Sequence, residues 1–182
     1  MFPSTIRSDM AAGIVGEIAF EGPLNGQPVL LNSPDAANNV IGRAFTYLAN
    51  ADGAIEPNPV RAGGAGAFAG ILASPKLYAS AGTAGGGSLA GTLALRNNEL
   101  AEVIQNTPGM WVQFPGACVV GQLVVYNTTT GELAPLTAGQ ALPVGFAIVP
   151  GATVVRYTDS TATPHIACIA LNGPWPVGAP AP

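Results

Sequence analysis

Charge is what this 182-residue chain has least of: only 9% of its residues are Asp, Glu, Lys or Arg, against about 25% in a typical soluble domain. A lone soluble monomer stays dispersed behind an interspersed charged surface, whereas surfaces that other chains cover are depleted in Lys, Glu and Asp. The shortage therefore predicts that much of the surface is hidden in an assembly. Positive charge is scarcest, with a single lysine, Lys76, and arginines spread singly along the chain, and the net charge is −4. Lining nucleic acid takes clustered cations that displace counterions, so no DNA or RNA partner is expected.

Chemistry-bearing residues are just as sparse. The one histidine, His165, has no Cys or carboxylate at ligand spacing, so neither a metal site nor a cofactor is expected. Ser-His-Asp catalysis would have to use this same residue, and no serine stands in a nucleophile-elbow sequence. The run GTAGGGSLAG resembles a phosphate loop only in its glycine content, because it lacks the lysine that would reach the phosphates. Glu99 and Glu102 would share a face only on a helix, and solvated surface carboxylates are the simpler reading. The chain is not expected to be an enzyme.

Cys118 and Cys168 each lie in an apolar run. They read as small buried hydrophobes in a reducing compartment, although spacing alone leaves a disulfide open. No apolar segment reaches the roughly 20 residues of a membrane helix, and MFPSTIRSDM has no apolar stretch of signal-peptide length. A soluble product of the cytoplasm with no membrane partner is therefore expected. In that setting the sequon at Asn127-Thr128-Thr129 is only a turn sequence.

What the chain does have is 48% hydrophobic residues punctuated by 24 glycines and 17 prolines. A domain of this length buries roughly 70% of its unfolded surface, so a real core is available. Apolar β-branched runs between Gly and Pro predict an all-β fold: a small sandwich or barrel of short antiparallel strands, with long loops and extended N- and C-terminal arms. Residues 1–12 read as an N-terminal arm and 13–173 as the β domain, with a loop-rich insertion at 50–91 left open. Residues 174–182 read as a Pro-rich C-terminal arm, because prolines donate no ladder hydrogen bonds.

Strands are expected at GIVGEIAF (13–20), PVLLN (28–32), VIGRAFTYL (40–48, with Ile41, Arg43, Phe45 and Tyr47 on one face) and FAGILA (68–73). Long loops are expected at 50–66 and 81–91. In TLALRNNELAEVIQ (92–105), Asn97-Asn98 would either cap a short helix or form a two-residue hairpin turn; the flanks, too short for a self-supporting helix, favour the hairpin. CVVGQLVVY and GELAPL around NTTTG make a hairpin signal, and VGFAIV, TVVRY and HIACIAL follow at short, regular spacing. Trp111, Phe114 and Tyr126 have strand-like spacing and read as core. Phe2, Ile6 and Trp175 sit in arms that cannot bury them locally, which makes them candidate interface anchors.

The order AEVIQ, PGMWVQF, GACVVGQLVVYNTTTGELAPL and GQALPVGFAIVPGA resembles the structural cement, or head-decoration, proteins of tailed bacteriophages. That family commonly carries a G-D-x-V-x-Y-x-x-x-T-G-x-L hairpin followed by a G-x-A strand. Here Gly121, Gln122, Val124, Tyr126, Thr130, Gly131 and Leu133 stand in the hairpin, and Gly145 and Ala147 in the strand, with Gln122 in place of the usual acid. GIVGEIAFEGP looks like the family's N-terminal segment. The resemblance implies a homotrimeric virion protein on the capsid outer surface, clamping adjacent major capsid protein subunits at threefold or quasi-threefold positions. A tail- or fibre-associated β protein would share the composition, but a fibre usually shows internal repeats and none is found. A small β-barrel enzyme would need a pocket of convergent polar groups, for which the sequence offers poor material.

Overall fold

In the computed structural model the described residues are 13–49, 55–74, 94–157 and 165–173. The two arms with Phe2, Ile6 and Trp175, and the expected loop at 81–91, lie outside the described residues. Among the described residues, the elements are nine strands and a single 3-10 turn at Ala36–Asn38.

The longest strand organises the rest. β5 (Leu100–Phe114) pairs through its first half with β1 (Asn25–Leu31) and β4 (Phe68–Leu72), and through its second half with β9 (His165–Asn172). Pro108-Gly109 marks the change, where the register shifts between Thr107 and Met110, as expected of a proline that cannot donate to a ladder. On one side, β1, β3 (Ile55–Ala62), β2 (Ala44–Ala49), β4 and β5 close into a five-stranded ring, because β1 pairs with both β3 and β5. Closure leaves that ring no free edge. On the other side, β9, β8 (Phe146–Tyr157), β6 (Leu123–Asn127) and β7 (Leu133–Leu136) extend the sheet, and β7 lies beside β5 without pairing to it.

Period-two alternation divides the apolar residues between two cores. Val29, Leu31, Phe45, Tyr47, Val60, Leu72 and Val103 fill the ring. Their oppositely facing neighbours Ala44, Ile71 and Ile104 join Met110, Val112, Phe114, Val124, Tyr126, Leu133, Val154 and Ile169 in the core of the outer strands. The expected all-β fold is therefore present, and of the expected sandwich or barrel it is the barrel, with outer strands added. Every pairing is antiparallel except β1 with β3.

Local differences from the sequence reading have identifiable causes. GIVGEIAF is not a strand: Gly16 has φ +87° and only Ile18 forms an isolated bridge, to Met110. The segment instead runs as a strap beside β5, with hydrogen bonds from Gly16 N–H to the Trp111 carbonyl and from Trp111 N–H to the Glu17 carbonyl. Residues 55–62, expected within a loop, form β3 despite Pro57 and Pro59. The β2–β3 register steps from Tyr47↔Val60 to Ala49↔Ile55, so both prolines stand where the ladder is interrupted and no donor is required. VGFAIV and TVVRY are one strand, β8, which passes through Pro150-Gly151 with Gly151 at φ +59°.

No helix forms at 94–105. Asn98 takes φ +64° in a two-residue turn, a conformation asparagine tolerates. The residues before the turn do not pair back on β5 as a hairpin would: Ala94 bridges Val40, and Asn98 N–H donates to the Leu31 carbonyl. Asn97 holds the turn in place, accepting from Ser33 N–H and Asn39 Nδ2 and donating to the Ser33 carbonyl.

Candidate interaction surface

The NTTTG turn of the β6–β7 hairpin is built on its own asparagine. Asn127 Oδ1 accepts from the N–H groups of Thr129 (2.8 Å) and Thr130 (3.2 Å), and Gly131 N–H donates to the Asn127 carbonyl. This turn then joins the outer strands to the ring. Gly64 N–H donates to the Thr128 carbonyl, Ala44 N–H to the Gly131 carbonyl, Tyr126 Oη to the Gly64 carbonyl, and Arg43 Nη1 to the Thr130 carbonyl. Gly131, at φ +74°, leaves no room for a side chain: a Cβ would stand 2.5 Å from the Ala44 carbonyl oxygen. Tyr126, Gly131 and Leu133 thus hold the two halves together. All three are buried within the chain.

Gln122 serves the neighbouring turn. Its Oε1 accepts from Val119 N–H at 2.8 Å, and its Nε2 donates to Thr137 Oγ1 at 3.1 Å. A carboxylate at this position would make the same first bond, so the carboxamide keeps the turn and adds a donor.

The candidate reactive groups are dispersed or quenched. His165 is half-buried at the start of β9, in register with Phe114. Glu99 closes its own turn by accepting from Arg96 N–H, and Glu102 is exposed on β5 opposite Pro28. Cys118 and Cys168 are free thiols, both buried. Burial raises the Cys118 pKa. It pushes Cys168 up to about 11, against smaller opposing effects from Arg156 and the Met110 backbone. A thiol held protonated is a poor nucleophile. Among the described residues there is no group of three His, Cys, Asp or Glu side chains placed to hold a metal.

Exposed apolar side chains, by contrast, fall on the strap and on the loops of the outer strands. Ile14, Ile18, Phe20 and Leu24 follow one another along the strap, with Leu24 at 53% exposure. A second set lies on the loops of the outer strands: Val119 and Val120 before β6, and Leu142 and Val144 before β8, with Val144 fully exposed. β7 and β8 flank β6 in parallel, so the connection 137–145 must return along β6, and all nine of its residues are exposed. The strap residues are neighbours along the chain, while Val119 and Val120 stand at the start of β6 and Val144 at its end; exposed apolar side chains at such places are candidate contact points.

Of the aromatic residues read as core, Phe114 and Tyr126 lie in the outer-strand core. Trp111 is buried on the opposite face of β5, where the strap crosses it: a Cβ at Gly13 would meet the indole ring. The exposed loop valines were not singled out from sequence. Their signal is an apolar pair directly before Gly121, and a valine held between Pro143 and Gly145, where turn geometry denies them a strand face.

A family model described as Structural cement protein (E217 gp24/Pam3 gp6) matches residues 2–172. Among solved structures, a chain from "The capsid of Myoviridae Phage XM1" is similar in fold, with a TM-score of 0.60 and 14% identity over 94% of this chain and 97% of that one. No curated protein matches the sequence.

Proposed function

This chain belongs to the structural cement protein family, and from that premise we propose that it binds the outer surface of the assembled phage head as a homotrimer and holds neighbouring major capsid protein subunits together. The observation that carries this reading is the family match over residues 2–172, which spans both the ring and the outer strands. The low charge content and the exposed valines on the outer-strand loops support it, since both suit a surface that other chains cover. Phe2 and Ile6 in the N-terminal arm and Trp175 in the C-terminal arm are proposed as anchors on a neighbouring subunit. The role is mechanical and calls for no catalytic group.

A clamp that binds only the finished lattice stabilises that state by mass action, each tenfold excess over its Kd adding about 1.4 kcal/mol per site. Many sites act on one shell, so modest affinity at each is enough, and an arm reaching a neighbour adds avidity. A cryo-EM map of purified particles tests the reading. It predicts three copies around each threefold or quasi-threefold position on the outside of the head; density confined to the tail, or no density on the head, would overturn it.

A further inference from the structure

Arg61 points out of the ring: its neighbours Val60 and Ala62 fill the ring core, and it stands across from Thr46 on β2. Its Nε is buried and has no hydrogen-bond partner among the described residues. The guanidinium lies against Gly64, where a Cβ would come within 2.7 Å of Nε and 3.2 Å of Nη2. Tyr126 supplies no counter-charge, because burial pushes its phenol up to about 12 against the opposing pull of Arg61, and its Oη donates to the Gly64 carbonyl. Arg61 also lines a pocket of about 480 Å³, between Ser33 and Asp35 on the ring side and Thr128 and Thr129 of the NTTTG turn. We propose that this pocket receives a carboxylate side chain from a second copy of this chain, paired with Arg61. The inference rests on the homotrimer reading above and names a contact within it.

The first support is the state of Arg61 itself. A partly desolvated guanidinium that lacks acceptors costs the fold free energy, and a bidentate carboxylate recovers it with two charge-assisted hydrogen bonds. Other acceptors around the pocket are engaged: Ser33 Oγ accepts from Ala62 N–H, and Asp35 Oδ1 accepts from Ala37 N–H at the start of the 3-10 turn. Asp35 is exposed, and among the described residues it is the only carboxylate on the pocket wall. It opposes an incoming carboxylate, so its removal and the removal of Arg61 have effects of opposite sign.

The second support is the charge of the partner. This chain holds 10 acidic side chains against 6 Lys and Arg, so two copies approach as like-charged bodies. Their contact is favoured where it sets one of the few cations against one of the many carboxylates. Among the described residues, Arg61 is the cation left for this. Arg43 Nη1 already donates to Asn38 Oδ1 and to the Thr130 carbonyl, and Arg156 lies near the Cys168 thiol. Arg96 is exposed on the Asn97-Asn98 turn, and an exposed ion pair contributes little. A pocket on one copy and a carboxylate on a different face of the next make a head-to-tail contact, the kind that closes copies into a ring.

Sedimentation velocity of the full chain across a concentration series tests this. Arg61→Gln keeps a polar side chain without the charge, and Thr129→Asp sets a carboxylate of the same chain at the pocket mouth from an exposed turn position. Both should raise the concentration of half-association about tenfold or more, while circular dichroism and thermal melts show them folded. Asp35→Asn should lower it, because it removes the like charge facing the incoming carboxylate and leaves a side chain that still caps the turn. Wild-type association in both Arg61→Gln and Thr129→Asp would overturn the pocket contact and leave the homotrimer standing. Weaker association in Asp35→Asn would mean that a cation enters the pocket, which also overturns the contact. A wild-type chain that stays monomeric at every concentration would overturn the homotrimer and this contact together. Wild-type association of Arg61→Gln with reduced binding to stripped particles would assign the carboxylate to the capsid and overturn seating of a second copy.

Discussion

Gly131 shows how much of this molecule rests on single atoms. Its positive φ and the 2.5 Å gap that a Cβ would leave to the Ala44 carbonyl oxygen make Gly131→Ala both strained and obstructed. Gly121 shares the backbone conformation, at φ +89°, but has nothing within 4 Å of a Cβ. Gly121→Ala should therefore cost only the left-handed penalty, about 1–2 kcal/mol. Gly131→Ala should cost distinctly more, and thermal melts of the two variants give the comparison; equal losses would mean that the turn does not lock the ring to the outer strands. Buried titrating groups make a second residue-scale prediction. Burial pushes Tyr126 from 10.0 up to about 12, partly offset by Arg61, and Cys168 from 9.0 up to about 11. Both groups are held neutral more firmly in the folded chain than in the unfolded one. Their contribution is complete below about pH 9 and is lost as pH rises through the folded values, at about 1.4 kcal/mol per unit and group inside each window. The urea midpoint should be flat near neutrality and fall from about pH 9, and Cys168→Ala should make that fall shallower, with Cys118 still contributing to it. A midpoint that rises above pH 9 would contradict the burial.

At the scale of elements, the loops before β6 and β8 carry the argument about partners. Val120 and Val144 are exposed, so Val120→Asp and Val144→Asp should change folding stability by no more than about 0.5 kcal/mol. Losing a buried valine at a contact should nevertheless weaken attachment to particles about tenfold or more. Wild-type occupancy of stripped particles by the double variant would remove these loops from the interface. The same scale shows what the sequence made legible. The β6–β7 hairpin could be read because its determinants are local: alternating apolar residues, an asparagine that bonds its own turn, and a glycine at positive φ. The strap could not, since the apolar run in GIVGEIAF is that of a strand and only Gly16 and the crossing over Trp111 prevent one. β3 was hidden for the converse reason. Its two prolines forbid a regular strand, and only the interrupted register with β2 admits them. Of the candidate anchors, Phe2, Ile6 and Trp175 could be chosen by their sequence context alone. The loop valines required the fold, because exposure follows from the course of the chain around β6.

For the whole molecule, a closed ring extended by four outer strands carries few charges, as suits a surface that other chains cover. Its hold on a shell should depend only weakly on salt, because so few charges are available to be screened. Strengthening a finished shell also differs from building one, since a protein that binds only the completed lattice adds stability without being needed for assembly. The most direct measurement compares particles carrying this protein with particles from which it has been stripped or omitted, following genome release on heating or osmotic shock. The account predicts that shells form in both cases and that those lacking the protein release their DNA at lower temperature or milder shock. Equal robustness, or the failure of any shell to form without the protein, would contradict it.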